Sequence, residues 1–120
     1  MSTVLVVDDS RSIRQLVSFT LNQYKHQVIE AEDGQKAMDV AAKNSIDLVI
    51  TDKNMPEMDG IELTKALRKQ EQTKHTPILM LTSGSNPKEM DEGKVVGVTG
   101  WLVKPFNPDT LMSVVDKVLS

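Results

Sequence analysis

Short apolar runs alternate with longer amphipathic stretches along the whole chain. The apolar runs predict five strands, at 4–7, 26–30, 47–51, 77–81 and 100–103. The stretches that follow them repeat apolar residues at helical spacing and predict five helices, at 11–24, 34–43, 60–69, from 87 and from 108. The pattern is therefore a strand followed by a helix, repeated five times.

Five such βα units in a row predict an α/β fold with a parallel sheet and helices on both faces. Strands such as 4–7 and 47–51 are continuously apolar, as expected for strands that are buried on both faces. The sequence shows no linker, internal repeat or low-complexity tract. We therefore expect one domain, residues 1–120, with no output domain attached.

Two of the helices carry informative patterns. The first helix should turn one apolar stripe to the core, formed by Ile13, Leu16, Val17, Thr20 and Leu21. The fourth helix has Asn86 and Pro87 as a start signal but a glycine, Gly93, in its interior. An interior glycine costs roughly 1 kcal/mol relative to alanine. We hypothesise that this helix is locally unstable and is a moving part of the protein.

Composition and charge exclude several classes of protein. The chain has 120 residues, no cysteine and a net charge of −3. Disulfides and thiolate metal sites are therefore excluded, and the charge gives no reason to expect nucleic-acid binding. The first apolar run is too short for a signal peptide, and no segment approaches the roughly 20 apolar residues that span a bilayer. We expect a soluble, cytoplasmic protein that does not insert into membranes.

The polar residues that end the strands are the strongest candidates for function. Asp8 and Asp9 follow the first strand, Asp52 the third, Thr82 the fourth and Lys104 the fifth. Taken alone, Asp8 and Asp9 could form a solvated turn, Asp52 could simply end a strand, and Lys104 with Pro105 could form a turn. However, the carboxyl ends of parallel strands meet at one edge of a sheet, where open α/β sheets bind their ligands. Their joint occurrence therefore predicts a single site.

The composition of this site points to metal-assisted phosphoryl transfer. Three neighbouring carboxylates repel one another unless one is protonated or a cation neutralises them. An all-oxygen ligand set suits Mg²⁺ or Mn²⁺. A carboxylate can also be a nucleophile that forms an aspartyl phosphate. Asp52 is the candidate, because it stands alone at a central strand end. The metal, the Lys104 ammonium and the Thr82 hydroxyl would each cover one phosphoryl oxygen.

Four segments carry a resemblance to a known family. They are VVDDS at 6–10, TDKNMPEMDG at 51–60, LTSG at 81–84 and GWLVKPF at 100–106. In their order and intervals they resemble the signature of response regulator receiver domains of bacterial two-component systems, and the resemblance covers the whole chain. The length is similar to that of the single-domain, CheY-like chemotaxis regulators of this family. The resemblance implies a flavodoxin-like, doubly wound (βα)5 fold with strand order 2-1-3-4-5.

The resemblance also implies how the site is loaded. A histidine kinase or a phosphotransfer domain would phosphorylate Asp52. The carboxylates of Asp8, Asp9 and Asp52, together with the backbone carbonyl of Asn54, would hold Mg²⁺. Like its relatives, the protein would catalyse only its own phosphorylation and dephosphorylation, and would not be an enzyme that acts on other substrates.

A further set of residues is implied to read the phosphorylation state. Thr82, Lys104 and the backbone N–H of Ser83 would bind the phosphoryl group. Thr82 would move toward that group while Trp101, in the place of the family's switch aromatic, rotates inward. The face made by the fourth helix, the fifth strand and the fifth helix would then change its affinity for an output partner, such as a flagellar motor switch protein. We expect the protein to be a monomer.

Three alternatives remain at this point. A small Mg²⁺-dependent phosphatase with an aspartyl phosphate would need an acid two residues after the nucleophile, and Asn54 stands there. A flavodoxin or nucleotide-binding protein would need a phosphate-binding first loop, but DDSRS is acidic and contains no glycine. Within the leading class, the chain could be a phosphorelay intermediate. Onward transfer of the phosphoryl group from Asp52 to a histidine would identify a relay.

Overall fold

Five parallel strands form one sheet in the computed structural model, which describes residues 2–84 and 86–120. The sheet order is β2-β1-β3-β4-β5, which confirms the predicted fold. The strands are β1 (Thr3–Val7), β2 (Gln27–Ala31), β3 (Leu48–Asp52), β4 (Ile78–Thr82) and β5 (Gly100–Val103). The helices are α1 (Arg11–Gln23), α2 (Gly34–Lys43), α3 (Gly60–Lys69), α4 (Pro87–Val96) and α5 (Pro108–Leu119), with a 3-10 turn at Glu71–Thr73.

Strands β3 and β4 each end one residue later than the apolar pattern predicts. Asp52 is the last residue of β3 and Thr82 is the last residue of β4, and neither simply follows its strand. Asp52 pairs with Leu81, and Thr82 pairs with Val103. Apolarity alone misses a polar residue that still belongs to the hydrogen-bonded ladder. Both candidate residues are therefore held by a rigid backbone.

The core forms two layers because side chains of a strand alternate between the faces of the sheet. Val4 and Val6 of β1 face the layer that contains α1 and α5, where Val17 and Leu111 are buried. Leu5 and Val7 belong to the other layer, together with residues of α2 and α3. Burial of these strands on both sides agrees with their continuous apolarity. Among the described residues, no helix is long and apolar enough to cross a bilayer.

The buried stripe of α1 is narrower than its pattern predicts. Val17, Thr20 and Leu21 are buried, but Leu16 is 41% exposed, so its predicted place in the core is wrong. Residues one position apart lie about 100° apart around a helix, so Leu16 is at the flank of a face centred on Val17 and Leu21. Phe19 of α1 is also largely exposed.

Helix α4 is complete from Pro87 to Val96, with Asn86 as its N-cap. Its interior glycine has a packing reason that the sequence does not reveal. Gly93 is buried, and a Cβ atom at this position would overlap Cζ2 of the Trp101 indole. The glycine thus lets the ring of β5 lie directly against the helix. Local instability of α4 stays a prediction.

At the end of the sheet where the strands begin, one arginine links three neighbouring segments of the chain. Arg68, near the end of α3, donates from Nη1 to the carbonyls of Thr73 and Thr76 at 2.9 and 2.6 Å. Its Nη2 donates to the carbonyl of Gly97, the left-handed C-cap of α4, at 2.7 Å. One side chain therefore joins α3, the turn before β4 and the end of α4.

Candidate functional site

Three carboxylates meet at the end of the sheet where the strands finish. Asp8 and Asp9 follow β1, and Asp52 ends β3. One oxygen of each lies within 4.8 Å of the others. Asp8 is fully buried, Asp52 is nearly so, and Asp9 is exposed. The structure therefore brings together the residues that the sequence predicts at this edge, with one side of the cluster open to solvent.

Local hydrogen bonds fix the turn that carries Asp8. The Ser10 backbone N–H donates to Asp8 Oδ1 at 2.8 Å, and the Ser10 hydroxyl accepts from Ile13 N–H as the N-cap of α1. Arg14 Nη1 donates to the backbone carbonyl of Asp8 at 2.7 Å, and Arg14 Nε pairs with Glu30 at 3.2 Å. Sequence reasoning missed this supporting role of Arg14, because its two partners lie on other elements.

Lys104 provides the positive charge of the site. Its ammonium lies 3.1 Å from Asp52 Oδ1 and 3.5 Å from Asp8 Oδ2. Its backbone N–H donates to the carbonyl of Thr82 at 2.7 Å, which aligns the end of β5 with the end of β4. The Lys104–Pro105 peptide bond is cis. One ammonium thus contacts two of three clustered carboxylates, which leaves an excess of negative charge.

The surroundings of Asp8 raise the pKa of its carboxyl. Burial raises the pKa of the Asp8 carboxyl above its ordinary value, and the hydrogen bond from Ser10 N–H opposes this effect. The negative charge of Asp52 raises the pKa further, while Lys104 lowers it. The clustered donors are all carboxylate oxygens, the ligand type of hard divalent cations such as Mg²⁺. Bound Mg²⁺ would relieve the repulsion, so these residues fit the metal.

The other candidate phosphoryl-binding residues line a cavity beside the end of β4. Asn54, Thr82 and Ser83 border one cavity of about 230 Å³. The Thr82 hydroxyl donates to the carbonyl of Gly84 at 2.8 Å. These residues therefore share one opening beside the end of β4, and their individual roles remain predictions.

Close packing of α3 against β3 positions Asp52. The Gly60 N–H donates to the Lys53 carbonyl at 2.8 Å, and a Cβ atom at Gly60 would lie 2.6 Å from the Asp52 carbonyl oxygen. Only glycine allows this approach. Asp59 caps α3 in a reciprocal arrangement with Glu62, a capping box. The segment before α3 thus starts the helix and holds it against β3.

Lys53, which follows Asp52, is a contact that sequence reasoning missed. The residue is only 8% exposed. Its ammonium lies 3.1 Å from a carboxylate oxygen of Glu89 in α4. No periodic signal could reveal this pair, because the two residues lie on different elements far apart in sequence. The ion pair links the loop after Asp52 to the start of α4.

Trp101 lies on β5, the edge strand of the sheet, and is half-buried against Gly93 of α4. Two large apolar side chains on the same two elements are exposed to solvent. Val95 of α4 is 86% exposed and Val103 of β5 is 45% exposed. The candidate switch aromatic therefore lies where α4 and β5 meet, and exposed apolar side chains are present on both elements.

Comparison with known proteins identifies the class that this fold and site define. The sequence model of the response regulator receiver domain matches residues 4–116. The chain therefore belongs to the family of response regulator receiver domains.

Individual relatives agree with this assignment. The chain is 39% identical over 116 residues to chemotaxis protein CheY-3 of Vibrio cholerae, covering 96% of this chain and 89% of that protein. It is 40% identical over 118 residues to the CheY homolog of Campylobacter jejuni, covering 97% and 91%. A high-resolution structure of Vibrio cholerae CheY4 superposes with a TM-score of 0.97 at 54% identity, over 99% of each chain.

Proposed function

We propose that this chain is a phosphorylation-activated signalling switch in which Asp52 accepts a phosphoryl group. One observation carries the proposal. The Lys104 ammonium contacts both Asp52 and Asp8, at 3.1 and 3.5 Å, beside the cluster of three carboxylates. A nucleophilic carboxylate, a cation-binding cluster and a fixed ammonium are the parts that phosphoryl transfer to an aspartate requires.

In the proposed reaction, an Asp52 carboxylate oxygen forms a bond to phosphorus. The bond from phosphorus to the donor breaks, and a phosphohistidine donor leaves as its imidazole. Lys104 neutralises the charge of one phosphoryl oxygen. Thr82 exchanges its hydrogen bond to the Gly84 carbonyl for one to a second oxygen, and the Ser83 backbone N–H donates to the same group. Mg²⁺, when held by Asp8, Asp9, Asp52 and the carbonyl of Asn54, supplies the remaining charge neutralisation.

The output is proposed to be a change in the surface formed by α4, β5 and α5. Movement of Thr82 would make room for Trp101, which contacts α4 at Gly93. The exposed Val95 and Val103 would then bind or release a partner. The similarity to chemotaxis proteins supports a role in chemotaxis, with a histidine kinase or phosphotransfer domain upstream and a flagellar motor switch protein as output partner. The protein would act in the cytoplasm as a monomer and would not turn over other substrates.

The intact mass of the protein tests the proposal directly. The purified chain is incubated with Mg²⁺ and a small acyl phosphate, and the mass is followed with time. We expect the wild type to gain the mass of one phosphoryl group and Asp52→Asn to gain none, because the amide is not a nucleophile. Asp39→Asn makes the same change on the exposed face of α2 and should behave as wild type. Phosphorylation of Asp52→Asn to the wild-type extent would refute the assignment.

A further inference from the structure

Thr82 and Asn54, two candidate residues of the phosphoryl site, border a cavity that is open to solvent. Its volume of about 230 Å³ is well above the roughly 10–15 Å³ that one water molecule requires. A Cβ atom built at Gly84 would meet no heavy atom within 4 Å, so no side chain closes the cavity at this position. The described residues that line the cavity are Asn54, Thr82, Ser83, Gly84, Asn86 and Glu89.

Among the described residues that line the cavity, only Glu89 has a charged side chain. Its carboxylate pairs with Lys53 at 3.1 Å. The Lys53 side chain is 10% exposed, and a buried ammonium needs a partner to offset the loss of hydration. The Glu89 side chain is 36% exposed, so one side of the carboxylate remains accessible to solvent. The lysine therefore holds the glutamate at the cavity wall and leaves it able to bind water.

We infer that Glu89, held by Lys53, positions the water that removes the phosphoryl group from Asp52. This inference rests on the proposed phosphorylation of Asp52. The water oxygen forms a bond to phosphorus, and the bond between phosphorus and the Asp52 oxygen breaks. Asp52 leaves as a carboxylate, and both hydrogens of the water leave with the inorganic phosphate. Glu89 accepts a hydrogen bond from the water and is regenerated unchanged.

The physical basis is orientation of the nucleophile. Phosphoryl transfer depends mainly on positioning and charge neutralisation, and a side chain that orients the attacking water accelerates it. With glycine at position 84, Glu89 is an acceptor that borders the same cavity as Thr82 and Asn54. Glu89 is thus a positioning residue for hydrolysis, and Lys53 acts through it. Together they set the lifetime of the phosphoryl group.

The experiment measures loss of the phosphoryl group separately from its gain. Each protein is phosphorylated with acyl phosphate and Mg²⁺, excess donor is removed by desalting, and the decrease in mass is followed with Mg²⁺ present. We expect Glu89→Gln to lose the group about tenfold more slowly than wild type, because the amide is a weaker acceptor and loses its ion pair. The rate of loss should fall more than the rate of gain. Glu92→Gln, the same change on the exposed face of α4, should lose the group at the wild-type rate.

A double-mutant cycle tests whether the two residues act as a unit. Lys53→Met keeps the buried stem of the lysine but removes the charge that holds Glu89. We expect this variant to slow the loss as well, and the double variant with Glu89→Gln to be no slower than the slower single variant. Additive effects would overturn the coupling of Lys53 to Glu89.

The outcomes separate this inference from the function on which it rests. If the wild type gains no phosphoryl group, or if Asp52→Asn gains one equally, the proposed function fails. If the wild type is phosphorylated at Asp52 but Glu89→Gln loses the group at the wild-type rate, only the role of Glu89 is refuted. Faster loss from Glu89→Gln would also refute it, because the carboxylate would then shield the phosphoryl group from water.

Discussion

The two ends of the sheet use charge in opposite ways. Where the strands finish, Asp8, Asp9 and Asp52 lie close together and one ammonium, that of Lys104, contacts two of them. Where the strands begin, the guanidinium of Arg68 is surrounded by carbonyl oxygens that accept its hydrogen bonds. The first end holds unbalanced charge that a ligand can neutralise, whereas the second satisfies its own polar groups. The difference separates the end that carries chemistry from the end that stabilises the fold.

Helix α4 connects the two ends. Glu89, in its first half, pairs with Lys53 beside the carboxylates, and Gly97 at its C-cap is bonded to Arg68. Between these contacts Gly93 lies against Trp101. A change of charge at one end can therefore alter contacts of α4, while the other end keeps the helix attached. The comparison predicts that substitutions at the two ends change stability in opposite directions.

Arg68→Ala should give the largest loss of stability. The substitution leaves the carbonyls of Thr73, Thr76 and Gly97 without this donor, at positions that are partly or fully buried. Because unsatisfied buried acceptors are costly, we expect the free energy of unfolding to fall by about 2–4 kcal/mol. Denaturant-induced unfolding, followed by circular dichroism, measures this change.

Lys69→Ala is the matched control for this substitution. Lys69 is the next residue of α3, it is exposed, and its loss should cost less than about 0.5 kcal/mol. Equal stability of the Arg68 and Lys69 variants would mean that the network at the beginning of the strands contributes nothing. The contrast between the two ends would then be lost.

Gly93→Ala should lower stability by a smaller amount and should also change the environment of Trp101. Alanine gains about 1 kcal/mol in helix propensity, but overpacking in a tight contact costs about 1–3 kcal/mol. Its Cβ would overlap the indole, so we expect a net loss of about 1 kcal/mol and an altered Trp101 emission spectrum, because the ring must move. Chemical denaturation monitored by the fluorescence of this tryptophan gives both quantities.

Gly84→Ala provides the comparison for a glycine without such a contact. A Cβ atom there meets no neighbour within 4 Å, so stability should stay within about 0.5 kcal/mol of wild type. If Gly93→Ala is instead more stable than wild type and its emission is unchanged, helix propensity dominates and the contact with Trp101 does not constrain α4.

Much of this architecture can be predicted from the sequence, because it depends on local patterns. The apolar runs define the strands, and the parallel arrangement brings their carboxyl ends together. That is sufficient to place Asp8, Asp52, Thr82 and Lys104 at one edge. The ends of the strands are harder to predict, because Asp52 and Thr82 are polar and yet take part in the hydrogen-bonded ladder.

The contacts that link elements could not be predicted in the same way. The ion pair of Lys53 with Glu89 and the bonds of Arg68 to Gly97 join residues whose proximity depends on how the helices pack. Gly93 shows the limit most clearly. In the sequence it indicates a weak helix, but in the structure it is the surface on which Trp101 packs. A residue's local propensity does not reveal a distant partner.

Asp8→Asn should change stability in the opposite direction. Without metal, ionised Asp8 is destabilising, because burial and the charge of Asp52 raise the pKa of its carboxyl in the folded state. Asparagine keeps an acceptor for Ser10 N–H and removes the charge. We expect the variant to be more stable than wild type at neutral pH in a chelating buffer. Since a raised pKa penalises the ionised form, this advantage should shrink as the pH falls through the folded pKa.

Mg²⁺ should reverse the order of stability between wild type and Asp8→Asn. A ligand that binds only the folded state stabilises it, and the wild type has one more carboxylate with which to bind the cation. Melting temperatures in chelator and in excess Mg²⁺ test this, with the exposed Asp91→Asn as the control for a change of one charge. If Asp8→Asn is less stable than wild type in chelator, the Asp8 carboxylate stabilises the folded protein without a cation. In that case the two ends of the sheet would not differ in the way their charges indicate.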